Sequence, residues 1–298
     1  MHIPVLLHEV IEGLALKPGL VVCDGTGGYG GHSKSIAEKI TPGGTLLIMD
    51  QDPQAVSHLK QTFANASIRV IIEKANFRHT KNILQKHNLS TVDRALLDLG
   101  ISSTQLDTPE RGFSFLQSGP LDMRMDTEAV ITLKNILSSR SERELTEIIR
   151  QYGEERFAGR IARAIKTNYD ANTIHTTEDL ARVIQEVVPG FYRHGRIHPA
   201  TRTFQALRII VNQELESLQK YLQDLPSFLK PQGRALIISF HSLEDRMVKH
   251  SFRQYKSADL GSILTKKPIE ASEEEVAQNS RARSAKLRIF ERNGNPIK

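Results

Sequence analysis

Up to about residue 100, short apolar runs alternate with amphipathic stretches. Residues 20–23, 46–49, 69–72 and 95–99 have the length and apolar content of buried strands. Between them apolar positions recur at helical spacing, as at Ile36, Ala37 and Ile40. Pro42-Gly43-Gly44 ends the first of these helices before the second strand. Asp52-Pro53 begins another, with Asp52 as N-cap and the proline in the first turn. Strand and helix in alternation predict a parallel, doubly wound sheet whose ligands lie at the carboxyl ends of its strands.

The alternation stops near Gln105 and resumes after His198. Ser141-x-x-Glu144 and Thr176-x-x-Asp179 have the spacing of capping boxes, and each precedes a helical apolar pattern. Between them Phe157, Ile161 and Ile165 recur every four residues. The pattern predicts a helical insertion over 107–200, between a first part of the sheet unit at 1–106 and a second at 201–298. In the second part, one apolar stripe runs from Phe204 through Leu207, Val211, Leu215 and Leu218 to Leu222, as on a single helix. Pro231-Gln232-Gly233 reads as a turn, 235–240 as a strand and 243–255 as a helix capped by Ser242 with Asp245 three residues on. Residues 270–278 are acidic and polar and are expected to be mobile, and 287–290 to be a closing edge strand.

Composition narrows the class. Of 298 residues, 39% are hydrophobic, enough for a true core, and 25% are charged, as is ordinary for a globular protein. The only cysteine, Cys23, lies in an apolar strand, so an intramolecular disulfide is excluded. No apolar run reaches membrane-spanning length, and the beginning at His2-Ile3-Pro4 lacks the features of a signal peptide; a cytoplasmic protein is expected. Net charge is +6, and the excess is clustered. Residues 281–298 hold Arg281, Arg283, Lys286, Arg288, Arg292 and Lys298 against Glu291, a basic C-terminal tail. Residues 191–202 hold Arg193, Arg196, Arg202, Phe191 and Tyr192 with no acid. Arginine neutralises phosphate and aromatic rings stack on unpaired bases, which favours RNA contact over a merely solvated surface.

Asp24-Gly25-Thr26-Gly27-Gly28-Tyr29-Gly30-Gly31-His32-Ser33 joins the first strand to the first helix. Gly25-x-Gly27-x-x-Gly30 matches a dinucleotide fingerprint, and Asp50 ends the next strand, where it suits two ribose hydroxyls. The spacing alone does not separate a nicotinamide cofactor from S-adenosylmethionine. Asp24 favours the second, since a carboxylate repels a pyrophosphate and attracts an ammonium group. Asp98 ends the fourth strand and is positioned either to accept hydrogen bonds from an amine or simply to cap a turn. Phe77, in the loop after the third strand, either flanks an adenine ring or packs. No cysteine cluster supports zinc, and only His194 and His198 have helical spacing, interrupted by Gly195; no metal is expected.

Beyond these features, the chain resembles the bacterial MraW/RsmH family over nearly its whole length. The matching segments include Pro4-Val5-Leu6-Leu7-His8-Glu9-Val10, the glycine loop through Ser33, and Asp98-Leu99-Gly100-Ile101-Ser102-Ser103-x-Gln105. They continue through Arg111-Gly112-Phe113, Asp122-Met123-Arg124-Met125-Asp126, Tyr152-Gly153-Glu154-Glu155-Arg156, His198-Pro199-Ala200-Thr201-Arg202, Ser239-Phe240-His241 and Arg281-x-Arg283-Ser284-Ala285-Lys286. The resemblance implies a class I S-adenosylmethionine-dependent methyltransferase, α/β with a Rossmann-like sheet and a helical insertion domain. It implies methylation of a cytidine N4 amine in the decoding centre of 16S ribosomal RNA, within the small ribosomal subunit. Gly30, Gly31 and His32 would meet the cofactor's amino-acid end, Asp50 its ribose and Phe77 its adenine, with Asp98 and Gln105 completing the site. The insertion and the basic tail would face RNA. Asp98 is followed by Leu99-Gly100 rather than the Pro-Pro-aromatic run of many amino-methyltransferases. Two rival readings are a nicotinamide oxidoreductase using the same loop and a ribosome-assembly factor that binds RNA without catalysis.

Overall fold

The computed structural model describes residues 4–295. Its contacts divide the chain into two compact units. One is built from the described parts of Met1–Gly100 and Leu215–Lys298, the other from Ile101–Glu214. The segment 107–200 expected as an insertion lies within the second.

The chain opens with α1 (Leu7–Leu14), a helix the apolar pattern did not announce. Then follow β1 (Val21–Asp24), α2 (Gly31–Ile40), β2 (Thr45–Asp50), α3 (Pro53–Thr62), β3 (Arg69–Lys74), α4 (Thr80–Lys86) and β4 (Val92–Asp98). Val22, Cys23, Leu46, Leu47, Ile48, Met49, Leu96 and Leu97 are all inaccessible to solvent. Consecutive apolar residues are what a parallel strand covered on both faces requires. The Asp52 side chain accepts the Gln54 N–H at 3.0 Å, so Asp52 caps α3 as its sequence suggests.

The second unit holds α5 (Ser103–Asp107), α6 (Leu133–Ser139), α7 (Glu142–Gly153), α8 (Ala158–Asp170), α9 (Thr177–Val187), α10 (Gly190–Arg193) and α11 (Thr201–Asn212). Ser141 with Glu144 and Thr176 with Asp179 form capping boxes, each bonding the N3 amide and receiving its side chain in return. Leu145, Ile149, Ile161, Ile165, Leu180, Ile184 and Leu207 fill the core of this unit. Burial of each stabilises the fold by about 1.5–3 kcal/mol. Among its described residues, extended pairing is limited to an isolated bridge between Pro120 and Thr176. The stripe from Phe204 to Leu222 is not one helix: Gln213 takes a left-handed conformation (φ 50°) and closes α11. Periodicity cannot register a one-residue break that leaves the apolar spacing nearly intact.

Next come α12 (Glu214–Phe228), β5 (Leu229–Ser239), α13 (Ser242–Ser257), β6 (Gly261–Ile263), α14 (Glu273–Gln278) and β7 (Lys286–Arg292). Among the described residues, seven strands form one sheet in the order β3-β2-β1-β4-β5-β7-β6. The first five are parallel, and β7 runs antiparallel to both β5 and β6. Pro231-Gln232-Gly233, expected as a turn, lies inside β5, where the register against β4 shifts between Val92 and Arg94. It acts as a bulge.

Three further expectations are corrected. Residues 287–290 are not at the edge, since β7 is paired on both sides and the edge is the three-residue β6. The cap of α13 is His241, and the Glu244 carboxylate accepts the Phe240 N–H at 2.8 Å, one residue earlier than expected. Residues 270–278 contain α14, capped by Ser272. The basic tail contains β7, where Arg288 is buried and forms a bidentate pair with Asp245 at 2.6 and 3.0 Å. Lys298 lies outside the described residues. Among the described residues, no helix is long and apolar enough to cross a membrane.

Candidate cofactor and active site

Along the sheet order β3-β2-β1-β4, the carboxyl ends present Phe77, Asp50, Asp24 and Asp98. The loop between β1 and α2 is brought down onto the strands by two glycines. A Cβ on Gly25 would strike the Leu97 side chain, and one on Gly27 would strike Ile48. Gly28 and Gly30 are needed for their backbone, at φ +51° and +83°. Gly30 is the N-cap of α2, and no side chain caps this helix. An uncapped helix N-terminus presents N–H groups and the positive end of the dipole to a carboxylate.

The three carboxylates are held differently. Asp24 is buried and accepts the Ser33 hydroxyl at 2.6 Å and the Thr26 N–H at 3.2 Å. The two oxygens of Asp50 accept N–H groups of Gly28 (2.7 Å) and Asp52 (2.8 Å), tying the end of β2 to the glycine loop. Burial pushes both carboxyls up to about 6, against the pull of these hydrogen bonds. Asp98 has its N–H on Thr26 Oγ1 at 2.7 Å, but its buried Oδ1 accepts no hydrogen bond. Its Oδ2 lies 3.8 Å from His32 Nδ1. Burial, with the charges of Asp24 and Glu244, pushes the Asp98 carboxyl up to about 8. An unsatisfied buried carboxylate oxygen is costly and marks a place built for a partner.

His32 is oriented from the N-terminal segment. Its Nε2–H donates to the Val5 carbonyl at 3.0 Å, which leaves Nδ1 facing Asp98. Leu6, buried and left-handed at φ 53°, donates its N–H to the Glu275 carboxylate at 2.7 Å. Pro4 packs on Gly31 closely enough to exclude a Cβ there. Sequence reasoning missed Thr26, Val5 and Glu275. Thr26 lay within the recognised loop, but nothing in the acidic run distinguishes Glu275 from its neighbours. Phe77 begins a single 3-10 turn and meets Tyr221 edge to face, with centroids 5.8 Å apart.

These residues fit a ligand with an anionic end, a cationic end, a diol and a flat ring. The α2 N-terminus suits the anion, the carboxylates the cation, the remaining lone pairs of Asp50 the diol, and Phe77 the ring. Gln105 belongs to the second unit, where it is buried and its Oε1 accepts the Ser102 N–H at 3.0 Å.

The arginines expected on RNA divide. The Arg193 guanidinium is committed to the fold, donating to the carbonyls of Glu186 (2.9 Å) and Val188 (3.2 Å) at the end of α9. Arg202 donates to the Glu154 carbonyl at 3.0 Å yet stays exposed, and Arg196 and Arg283 are exposed. Arg281 is partly buried in the 3-10 turn Ser280–Ser284.

Residues 1–293 match the family described as the MraW methylase family. Curated relatives bear the name ribosomal RNA small subunit methyltransferase H. That of Syntrophotalea carbinolica is 45% identical over 306 residues, covering 98% of each chain. That of Trichodesmium erythraeum is 48% identical over 291 residues, covering 98% of this chain and 99% of the relative. That of Nostoc sp. is 47% identical, covering 98% and 92%.

Proposed function

The chain belongs to the MraW methylase family, and from that premise we propose that it transfers a methyl group from S-adenosylmethionine to the N4 amine of a cytidine in the decoding centre of 16S ribosomal RNA. It is a methyltransferase, α/β with a Rossmann-like sheet, and S-adenosylmethionine is its donor. Its substrate is ribosomal RNA. The finer reading is that the RNA is presented within the small ribosomal subunit, in the cytoplasm.

The observation that carries the reaction is the buried, unpartnered Oδ1 of Asp98 at the end of β4. The bound donor supplies a methyl group on a positively charged sulfur. The cytosine amine is a poor nucleophile because its lone pair is delocalised into the ring. A hydrogen bond from its N–H to Asp98 favours the pyramidal amine and gives the departing proton a destination. Burial raises the Asp98 carboxyl to about 8, and a cation at the strand ends favours its ionised form. Gly30, Gly31 and His32 bind the donor's carboxylate, Asp24 faces its ammonium group, Asp50 takes the ribose and Phe77 the adenine. The remaining contribution is alignment of donor and amine. Cys23 is buried and its thiol pushed far up, so it is no nucleophile and direct displacement needs no covalent enzyme intermediate. Arg196, Arg202, Arg281 and Arg283 are assigned to phosphates.

The test is transfer of labelled methyl to small ribosomal subunits, followed by nucleoside analysis. Label in N4-methylcytidine is expected. Label in another nucleoside overturns the assignment of the amine, and absence of transfer despite donor binding overturns the substrate.

A further inference from the structure

We propose that Arg156 and the aromatic residues around it, in the helical unit, form a stacking platform for an unpaired base of the RNA. The proposal rests on the reading that RNA is the substrate, and adds a site and a mode of binding to it. Arg156 stands in the turn between α7 and α8. Its guanidinium carbon lies 4.8 Å from the ring centroid of Phe157, 4.9 Å from that of Tyr192 and 5.3 Å from that of Phe191. Phe157 meets Tyr192 edge to face at 5.0 Å and Phe191 at 6.4 Å. One cation thus gathers three rings from two separate stretches of chain.

The cluster is anchored below and open above. The Tyr192 hydroxyl donates to the carboxylate of Glu155, which is 1% exposed and also accepts the Phe157 N–H at 2.8 Å. Burial and that carboxylate push the Tyr192 hydroxyl up to about 12, so it stays a protonated donor and its ring stays in place. Phe191, in contrast, is 69% exposed, and Ile197, six residues further along the chain, is 58% exposed. A large apolar ring held toward solvent beside a planar cation offers two surfaces on which a base stacks.

Charge decides between occupants. Residues 191–202 contain no acid, Arg196 is exposed, and the carboxylate of Glu155 is turned inward to Tyr192 and Phe157. An aromatic face continued by a stretch of chain that carries three arginines and no acid suits single-stranded nucleic acid, where rings take bases and arginines take phosphates. An apolar protein patch gains nothing from such a field.

The test uses the full chain and single-stranded oligoribonucleotides, followed by fluorescence anisotropy over a salt series. Phe191→Ala is expected to weaken binding about tenfold, within the range for losing one stacked base, without changing the slope of log Kd against log salt. Phe191→Tyr should restore affinity. Arg196→Ala should instead reduce the slope by about one. An abasic nucleotide at the stacked position should erase the difference between wild type and Phe191→Ala. Unchanged oligonucleotide affinity in Phe191→Ala overturns the proposal, and loss confined to assembled subunits would make the patch a protein-docking surface instead. Methyl transfer by the wild type, measured in parallel, separates this outcome from failure of the proposed reaction.

Discussion

The sheet unit and the helical unit hold their candidate binding residues in opposite ways. In the sheet unit, Asp24, Asp50, Phe77 and Asp98 are far apart in sequence and brought to one edge by four parallel strands. Its donors are backbone N–H groups, its carboxyls are raised by burial, and its glycines are fixed by what lies beneath them. In the helical unit, Arg156, Phe191 and Tyr192 sit on turns and a short helix, and their key surfaces are exposed. Buried groups without alternative partners respond to substitution in an all-or-none way. Exposed groups that share a ligand respond by degrees, and with salt.

Asp98→Asn tests the buried side of this contrast most severely. It should lower kcat by about 10²–10⁴, the usual contribution of one positioned acid–base group, without loss of fold. A variant retaining half the wild-type kcat would end the role assigned to Asp98. The same group gives the pH dependence a sign. Above its ordinary value of 3.8, the unfolded chain has lost a proton that the folded Asp98 keeps until about pH 8. Stability linked to Asp98 therefore falls as pH rises through that window, and that linked to Asp24 and Asp50 falls between 3.8 and about 6. Urea midpoints between pH 6 and 8 should decline in the wild type and flatten in Asp98→Asn. If Asp98 acts ionised, kcat/KM should rise toward pH 8 in the wild type, and a profile flat up to that pH would contradict it.

A pair of glycines sharpens the comparison at smaller scale. Gly27→Ala drives a methyl group into Ile48 and should cost about 1–3 kcal/mol, as overpacking does. Gly190→Ala, in the helical unit, meets nothing within 4 Å and should be neutral or stabilising by up to about 1 kcal/mol. Equal losses in thermal melting would show that the loop is no more constrained than α10.

A smaller loss than that of Gly27→Ala is expected at Glu275. Glu275→Gln weakens a charge-assisted bond to the Leu6 N–H, the fastening of the segment that orients His32 and packs on Gly31. KM for S-adenosylmethionine should rise a few-fold, as expected for about 1 kcal/mol, with kcat unchanged. A fall in kcat at constant KM would place Glu275 in the chemistry rather than in the support of the loop.

What could be read from the sequence alone was whatever depends on near neighbours. Helix caps at Asp52, Ser141 and Thr176, the apolar runs of β1 to β4 and the glycine loop each carry their signal within a few residues, because propensity and capping act over one turn. The strand-end positions of Asp24, Asp50 and Asp98 followed from those runs. Tertiary structure decided everything that needs a distant partner. Whether β7 lies at the edge depends on β6, which is too short to show a pattern. Whether Arg193, Arg288 and Arg196 are basic surface depends on the carbonyls and carboxylate that claim the first two and leave the third exposed. The bare oxygen of Asp98, the tether from Glu275 to Leu6 and the gathering of rings around Arg156 are of the same kind. A residue's type states what it can bind, but its partner is set by which distant part of the chain the packed core brings beside it.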